Sequence, residues 1–167
     1  MDKARPFSQV YFVMVLFLLI IVLSGCAGKT VVVKPLEVRQ RFPSVEISEE
    51  DSAVNVPTDF NKAFRQVLEE YIYEERGFQK GKDLCIKYSF VQYNPGSQFK
   101  RWLSGGIGGW GKGTLRVEVK FVNQMDQELA RIQVEGELSG GALGGGFEDT
   151  IYQCVRAIAK YAKQNFK

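Results

Sequence analysis

The sequence predicts an α+β domain, a mostly antiparallel sheet with two helices packed on one face, its elements in the order β-α-β-β-β-α. Three observations predict it. Three runs alternate apolar and polar residues one by one, which in an extended chain puts every apolar side chain on the same face. Two other segments repeat apolar residues at three and four, the spacing that draws one stripe along a helix. With 167 residues, 45% hydrophobic and 25% charged, the chain has the composition of one ordinary globular domain, which excludes disorder, collagen and coiled coil.

Taken in order, residues 1–25 read as an export signal, 26–43 as a lipidated N-terminus and tether, and 44–167 as the single folded domain. Thr30 to Val33 is the one β-branched run of the tether and its candidate strand. Ser44 to Ser48 sets Val45 and Ile47 against Glu46, a short strand, and Glu49 to Pro57 is an acidic, turn-rich link. Thr58 stands where a side chain can cap a helix and Asp59 suits its first turn. Phe60, Phe64, Val67, Leu68, Tyr71 and Ile72 form the stripe of that helix, and Gly77 is its stop.

The alternating runs follow. Leu84, Ile86, Tyr88 and Phe90 carry the first, Leu115, Val117, Val119 and Phe121 the second, and Ala130, Ile132, Val134 and Leu138 the third. Arg116, Glu118 and Lys120 fill the other parity of the second run, and Arg131, Gln133, Glu135 and Glu137 that of the third, so one sheet face is covered and the other wet. Asn123 to Gln127 is a hairpin loop. The last helix begins after Gly146, with Glu148 and Asp149 at its start and Arg156, Lys160 and Lys163 toward its end, as the helix dipole favours. Phe147, Ile151, Val155, Ile158, Ala159 and Ala162 are its stripe.

Charge and composition bound the chemistry. Lys and Arg number 22 against 19 Asp and Glu, and the net +3 is too weak a field for nucleic acid. Histidine is absent, which removes Ser-His-Asp and Cys-His nucleophile systems, histidine-ligated zinc and haem, and imidazole pH switches.

The N-terminus points to export. Lys3 and Arg5 precede a run from Val10 to Leu23 that carries no polar group but the Tyr11 hydroxyl, short of the roughly 20 apolar residues that span a bilayer. Leu23-Ser24-Gly25-Cys26 follows, and it resembles the lipobox of bacterial lipoproteins. That resemblance implies cleavage between Gly25 and Cys26, a diacylglycerol on the Cys26 sulfur and an N-acyl chain on its amine, a stable anchor of two or three chains. Ala27 in place of an aspartate implies, in a Gram-negative host, the periplasmic face of the outer membrane. The alternative is an uncleaved signal anchor with Cys26 as an ordinary thiol, and both readings put Ala27 to Lys167 outside the cytoplasm. Losing Lys3, Arg5 and Asp2 takes the formal charge from +3 to +2.

Eleven of 17 glycines fall in two stretches, Gly105 to Gly113 and Gly140 to Gly146. Gly106, Gly108 and Gly111 fit G-x-G-x-x-G, and Gly106 to Lys112 fits the start of a P-loop. Gly113 stands where the P-loop needs a hydroxyl, and a strand follows where both motifs need a helix, so neither is a nucleotide site. Trp102, Leu103, Ile107, Trp110 and Lys112 make the first stretch a candidate interaction loop, since indoles beside cations suit a membrane interface or a partner groove. The same tryptophans could instead cap the sheet end. The second stretch could offer helix N–H groups to an anion, or be only a strand-to-helix turn.

Cys85 lies on the outer parity of its strand and Cys154 on the core stripe of the last helix, so two unpaired thiols are expected. Asp83, Glu118, Glu135, Glu137, Glu148 and Asp149 are the carboxylates available for acid-base work, and no spacing among them requires a catalytic pair. No metal and no cofactor beyond the Cys26 lipids are expected.

The stretches GGIGGWGKGTLRVEVKF, ELARIQVEGELSGGALGGG and CVRAIAKYAK, with the lipobox upstream, resemble domain-of-unknown-function family 4410 of small bacterial lipoproteins. The resemblance implies an envelope location and this fold, and brings no catalytic residues. The expected function is that of a non-catalytic binding or accessory module, tethered to the membrane through its lipid and docking an envelope protein through the tryptophan-bearing loop. The alternatives are an assembly or pore component built on the glycine loops, and a carboxylate hydrolase.

Overall fold

The computed structural model describes residues 28–95, 113–137 and 148–167. Six strands make one sheet: β1 (Lys29–Lys34), β2 (Ser44–Glu49), β3 (Gln79–Lys80), β4 (Leu84–Asn94), β5 (Thr114–Asn123) and β6 (Glu128–Glu137). Their spatial order is β1-β6-β5-β4-β2-β3. Pairing is antiparallel from β1 through β4 and parallel where β2 meets β3 and β4. Helix α1 (Thr58–Glu70), extended by a π-helical turn over Tyr71–Glu75, and helix α2 (Glu148–Phe166) complete the α+β architecture.

Parity behaves as the alternation predicts. Leu84, Ile86, Tyr88 and Phe90 are fully buried, as are Leu115, Val117, Val119, Phe121, Ala130, Ile132 and Val134. Phe64 and Leu68 of α1, and Ile151, Val155, Ile158, Ala159 and Ala162 of α2, close over them in one cluster. Aromatic rings fill its two ends. Phe64 sits 5.2 Å from both Tyr88 and Phe90, and Phe121 stacks on Phe166 at 4.9 Å. Each such ring removes enough apolar surface from water to contribute about 1.5–3 kcal/mol.

Four local features depart from the sequence expectation or go beyond it. Thr58 does not cap α1: Pro57 occupies the N-cap, no side chain bonds the free N–H groups, and Thr58 is the first helical residue. The carbonyl of Pro57 instead accepts the Asn61 N–H at 3.0 Å, and the fixed proline φ sets where the helix begins. The end of the first helix is wider than an α-turn, with the Arg76 N–H reaching the Tyr71 carbonyl at 3.0 Å before Gly77 turns the chain at φ 69°. In β4 a bulge between Phe90 and Gln92 inverts parity, so Tyr93 comes to the covered face and packs on Phe60 at 4.9 Å. Finally, part of the segment read as tether is an edge of the sheet, since Lys29–Lys34 pairs with β6.

Candidate functional site

The strand register brings one end of the sheet together. Asn94 lies opposite Thr114, Thr114 opposite Glu137, and Lys29 opposite Glu135. The chain therefore enters β1, leaves β4, re-enters β5, leaves β6 and begins α2 all at this end. The described residues on both sides of the two glycine-rich stretches, Asn94 and Thr114 and then Glu137 and Glu148, therefore lie at this end. Leu23, Ser24, Gly25, Cys26, Trp102, Leu103, Ile107, Trp110 and Lys112 lie outside the described residues, as do Leu138 and Phe147.

The described part of this end is tightly built. A Cβ on Gly136 would stand 2.6 Å from the Thr150 carbonyl oxygen, and one on Gly28 would stand 2.9 Å from that of Gln153. Both glycines thus let backbone meet the first turns of α2 directly. The Gln153 side chain then accepts the Glu137 N–H at 3.1 Å and donates to the Glu137 carbonyl at 3.2 Å, tying the last residue of β6 to the helix. Thr150 is fully buried here.

The carboxylates named above are dispersed. Asp83 sits at the opposite end, accepting from Ser44 Oγ at 2.6 Å and from Gln124 Nε2 at 2.9 Å. Glu118 and Glu135 share the wet face of the sheet, where each meets a different cation. Arg116 donates to Glu135 through Nε at 2.9 Å and Nη2 at 2.6 Å, and this holds the carboxyl below the usual carboxylate range. Glu118 receives Gln133 Nε2 at 3.2 Å and lies 3.7 Å from Arg131, whose own hydrogen bonds to Glu128 lower that carboxyl too. Lys120 reaches Glu50 at 2.7 Å on the same face. Glu137, Glu148 and Asp149 belong to the end where the glycine stretches begin and finish.

Both thiols within the described residues are free. Cys154 is buried with its Sγ 3.7 Å from the Leu115 carbonyl, and burial pushes it up to about 12. Cys85 is half-buried beside Ser48 Oγ at 3.3 Å. Tyr88 gives its hydroxyl to Asn61 Oδ1 at 3.0 Å, and burial raises it to about 12 as well. Among the described residues no three of Asp, Glu and Cys converge as metal ligands, and no helix is long and apolar enough to cross a membrane.

Residues 29–142 match the family described as Domain of unknown function (DUF4410). The chain belongs to the DUF4410 family. Among curated proteins none matches it. Its fold is similar to that of the PelC dodecamer from Paraburkholderia phytofirmans in two crystal forms, each with a TM-score of 0.56. Identities are 6% and 8%, with 84% of this chain and 98% and 99% of the PelC chains covered. A minor lipoprotein from Acinetobacter baumannii aligns with a TM-score of 0.37 and 13% identity, over 74% of this chain and 94% of that one. At such identities the PelC likeness is one of fold. The DUF4410 match spans β1 through β6 and stops before α2.

Proposed function

We propose that this DUF4410 chain is a lipoprotein held by Cys26 at the periplasmic face of the outer membrane, where its domain acts as a non-catalytic binding module for an envelope protein. One observation carries the reading. The strand that follows the lipobox enters the sheet at the end from which both glycine-rich stretches depart, so anchor and candidate interaction loop share one end of the domain. In this reading the membrane lies on the side of the domain where the chain leaves β4 and enters β5, the ends of the segment that carries Trp102 and Trp110.

The carboxylates support a module without chemistry of its own. A general acid at neutral pH needs a raised carboxyl. Glu128 and Glu135, each bonded to an arginine, shift the other way.

Two experiments test the reading. Intact mass and membrane fractionation of wild type beside Cys26→Ala should show loss of residues 1–25, added acyl mass and outer-membrane flotation for the wild type only. Trp102→Ala with Trp110→Ala should leave folding intact and lower the recovery of a co-purifying envelope protein at least severalfold. Recovery equal to wild type would remove the loop from the proposal.

A second reading is favoured by the fold shared with the PelC dodecamer. In it, several copies of this chain close a ring and the glycine stretches meet at or near its axis. Light scattering of the acylated protein in detergent distinguishes the two: a single protomer mass excludes the ring.

A further inference from the structure

The two edges of the sheet are treated differently by the rest of the chain. At one edge β3 has two residues, and the carbonyls of β2 are covered by side chains: Tyr73 donates its hydroxyl to Val45 at 3.1 Å and Arg65 Nη2 reaches Ile47 at 3.5 Å. The other edge is β1, six residues of sequence KTVVVK, which among the described residues pairs with β6 on one side only. Val31, Val32 and Val33 are 49%, 50% and 47% exposed, and Val38 just beyond them is 66% exposed. Of the six large apolar side chains exposed among the described residues, four fall in this one segment. Lys29 and Arg39, both exposed, bracket it.

Chain length says what lies beside this edge. Lys29 lies three residues beyond Cys26, so the first residue of β1 is within about 11 Å of the cysteine. We propose that the free edge of β1, continued to Arg39, is a membrane contact: it lies along the headgroup layer of the bilayer that carries the Cys26 lipids and turns the sheet edge-on to that surface. The inference rests on the lipid-anchored reading of Cys26.

Physical limits define the contact. A strand with one unpaired edge cannot enter hydrocarbon, where its free N–H and C=O groups would go unbonded. At headgroup depth water and phosphate bond them, the valines meet the upper acyl chains, and Lys29 and Arg39 face anionic lipid. A strand from a second protein is the rival occupant. Lysine at both ends of β1 opposes it, since charged edge residues, lysine above all, blunt strand-to-strand pairing. Of the two, exposed Lys29 also favours a negatively charged bilayer, whereas Lys34 donates to the Glu128 carbonyl.

The test uses the mature chain, residues 26–167, with Cys26→Ser so that no lipid is attached; this keeps the described core, Val45 to Phe166 with Leu36 and Phe42 packed against it, intact. Flotation is measured with phosphatidylcholine vesicles and with the same vesicles containing phosphatidylglycerol, at low and high salt. The chain should float with the anionic vesicles at low salt. Lys29→Gln with Arg39→Gln should lower the partition about twenty-five-fold, at roughly fivefold per cation. Val31→Ser with Val33→Ser should lower it about tenfold with an unchanged melting temperature, as expected of exposed positions.

Absence of flotation, or flotation equal in wild type and both variants, overturns the contact. So does a concentration-dependent dimer that the valine pair abolishes, because the edge would then be serving a second strand. The acyl mass of the full-length protein separates the two proposals: acyl mass without flotation refutes the contact alone, and flotation without acyl mass refutes the anchor alone.

Discussion

Gly136 has no space for a side chain. A methyl there would sit 2.6 Å from the Thr150 carbonyl oxygen, a rigid backbone atom, and the helix would have to retreat from β6. Gly136→Ala should therefore cost about 2–3 kcal/mol in urea unfolding, as overpacking does. Gly77 is constrained in a different way, by φ of 69°, and the atom nearest an added methyl is the end of the flexible Lys167 side chain. Gly77→Ala should cost only about 1 kcal/mol, through the backbone. Buried titrating groups give the pH dependence. The Cys154 thiol ionises near 9 when unfolded and near 12 when native, and Tyr88 near 10 and 12. A raised native value means the native state holds its proton longer, so stability is complete below pH 9 and falls as pH climbs toward 12. Each group contributes a slope of about 1.4 kcal/mol per pH unit within its window. Cys154→Ala should lower the starting stability and flatten the fall between pH 9 and 10, below the window in which Tyr88 contributes; an unchanged slope in urea midpoints would contradict this.

Among the elements, the bulge of β4 sets the most. It turns Tyr93 to the covered face, where Phe60 meets it edge-on. Tyr93→Ala should therefore cost about 1–2 kcal/mol from the lost aromatic contact and burial; an unaltered urea midpoint would show that the ring does not matter. Alternation elsewhere was legible from residues alone. Leu84 to Phe90, Leu115 to Phe121 and Ala130 to Val134 sit on the covered face as the period of two requires, and Val45, Ile47, Phe64 and Leu68 are buried as their spacing indicates. The bulge was not legible, because one inserted residue looks like ordinary sequence until its partner strand is known. Thr58 misled for a related reason: a good capping residue follows a proline whose fixed φ already serves as the start. Strand β1 was visible as a β-branched run, but its pairing with β6, about 100 residues later, is a long-range fact that local pattern does not contain. The convergence of both glycine stretches on one end is of the same kind.

For the molecule as a whole, one continuous core joins both helices to the sheet. The urea transitions followed by second-derivative tyrosine absorbance, which reports Tyr71 and Tyr88 of the core, and by far-ultraviolet circular dichroism should therefore coincide, as for a single cooperative unit; separated midpoints would mean that part of the secondary structure unfolds apart from the core. The surface opposite the helices carries paired charges, Arg116 with Glu135, Lys120 with Glu50 and Arg131 with Glu128, all partly exposed. Pairs of this kind are screened by salt and contribute little each, so the midpoint should move by less than about 1 kcal/mol between low and high salt.

Time adds a dimension to the place of β1. It is the first of the described strands to be synthesised and, since its partner among them is β6, the last able to dock. Until Glu135 has been made, the valine strand stands unclaimed. During that interval β1 is open to capture by any other unpaired edge, and the speed with which β6 arrives decides whether the sheet closes on itself or on a neighbour.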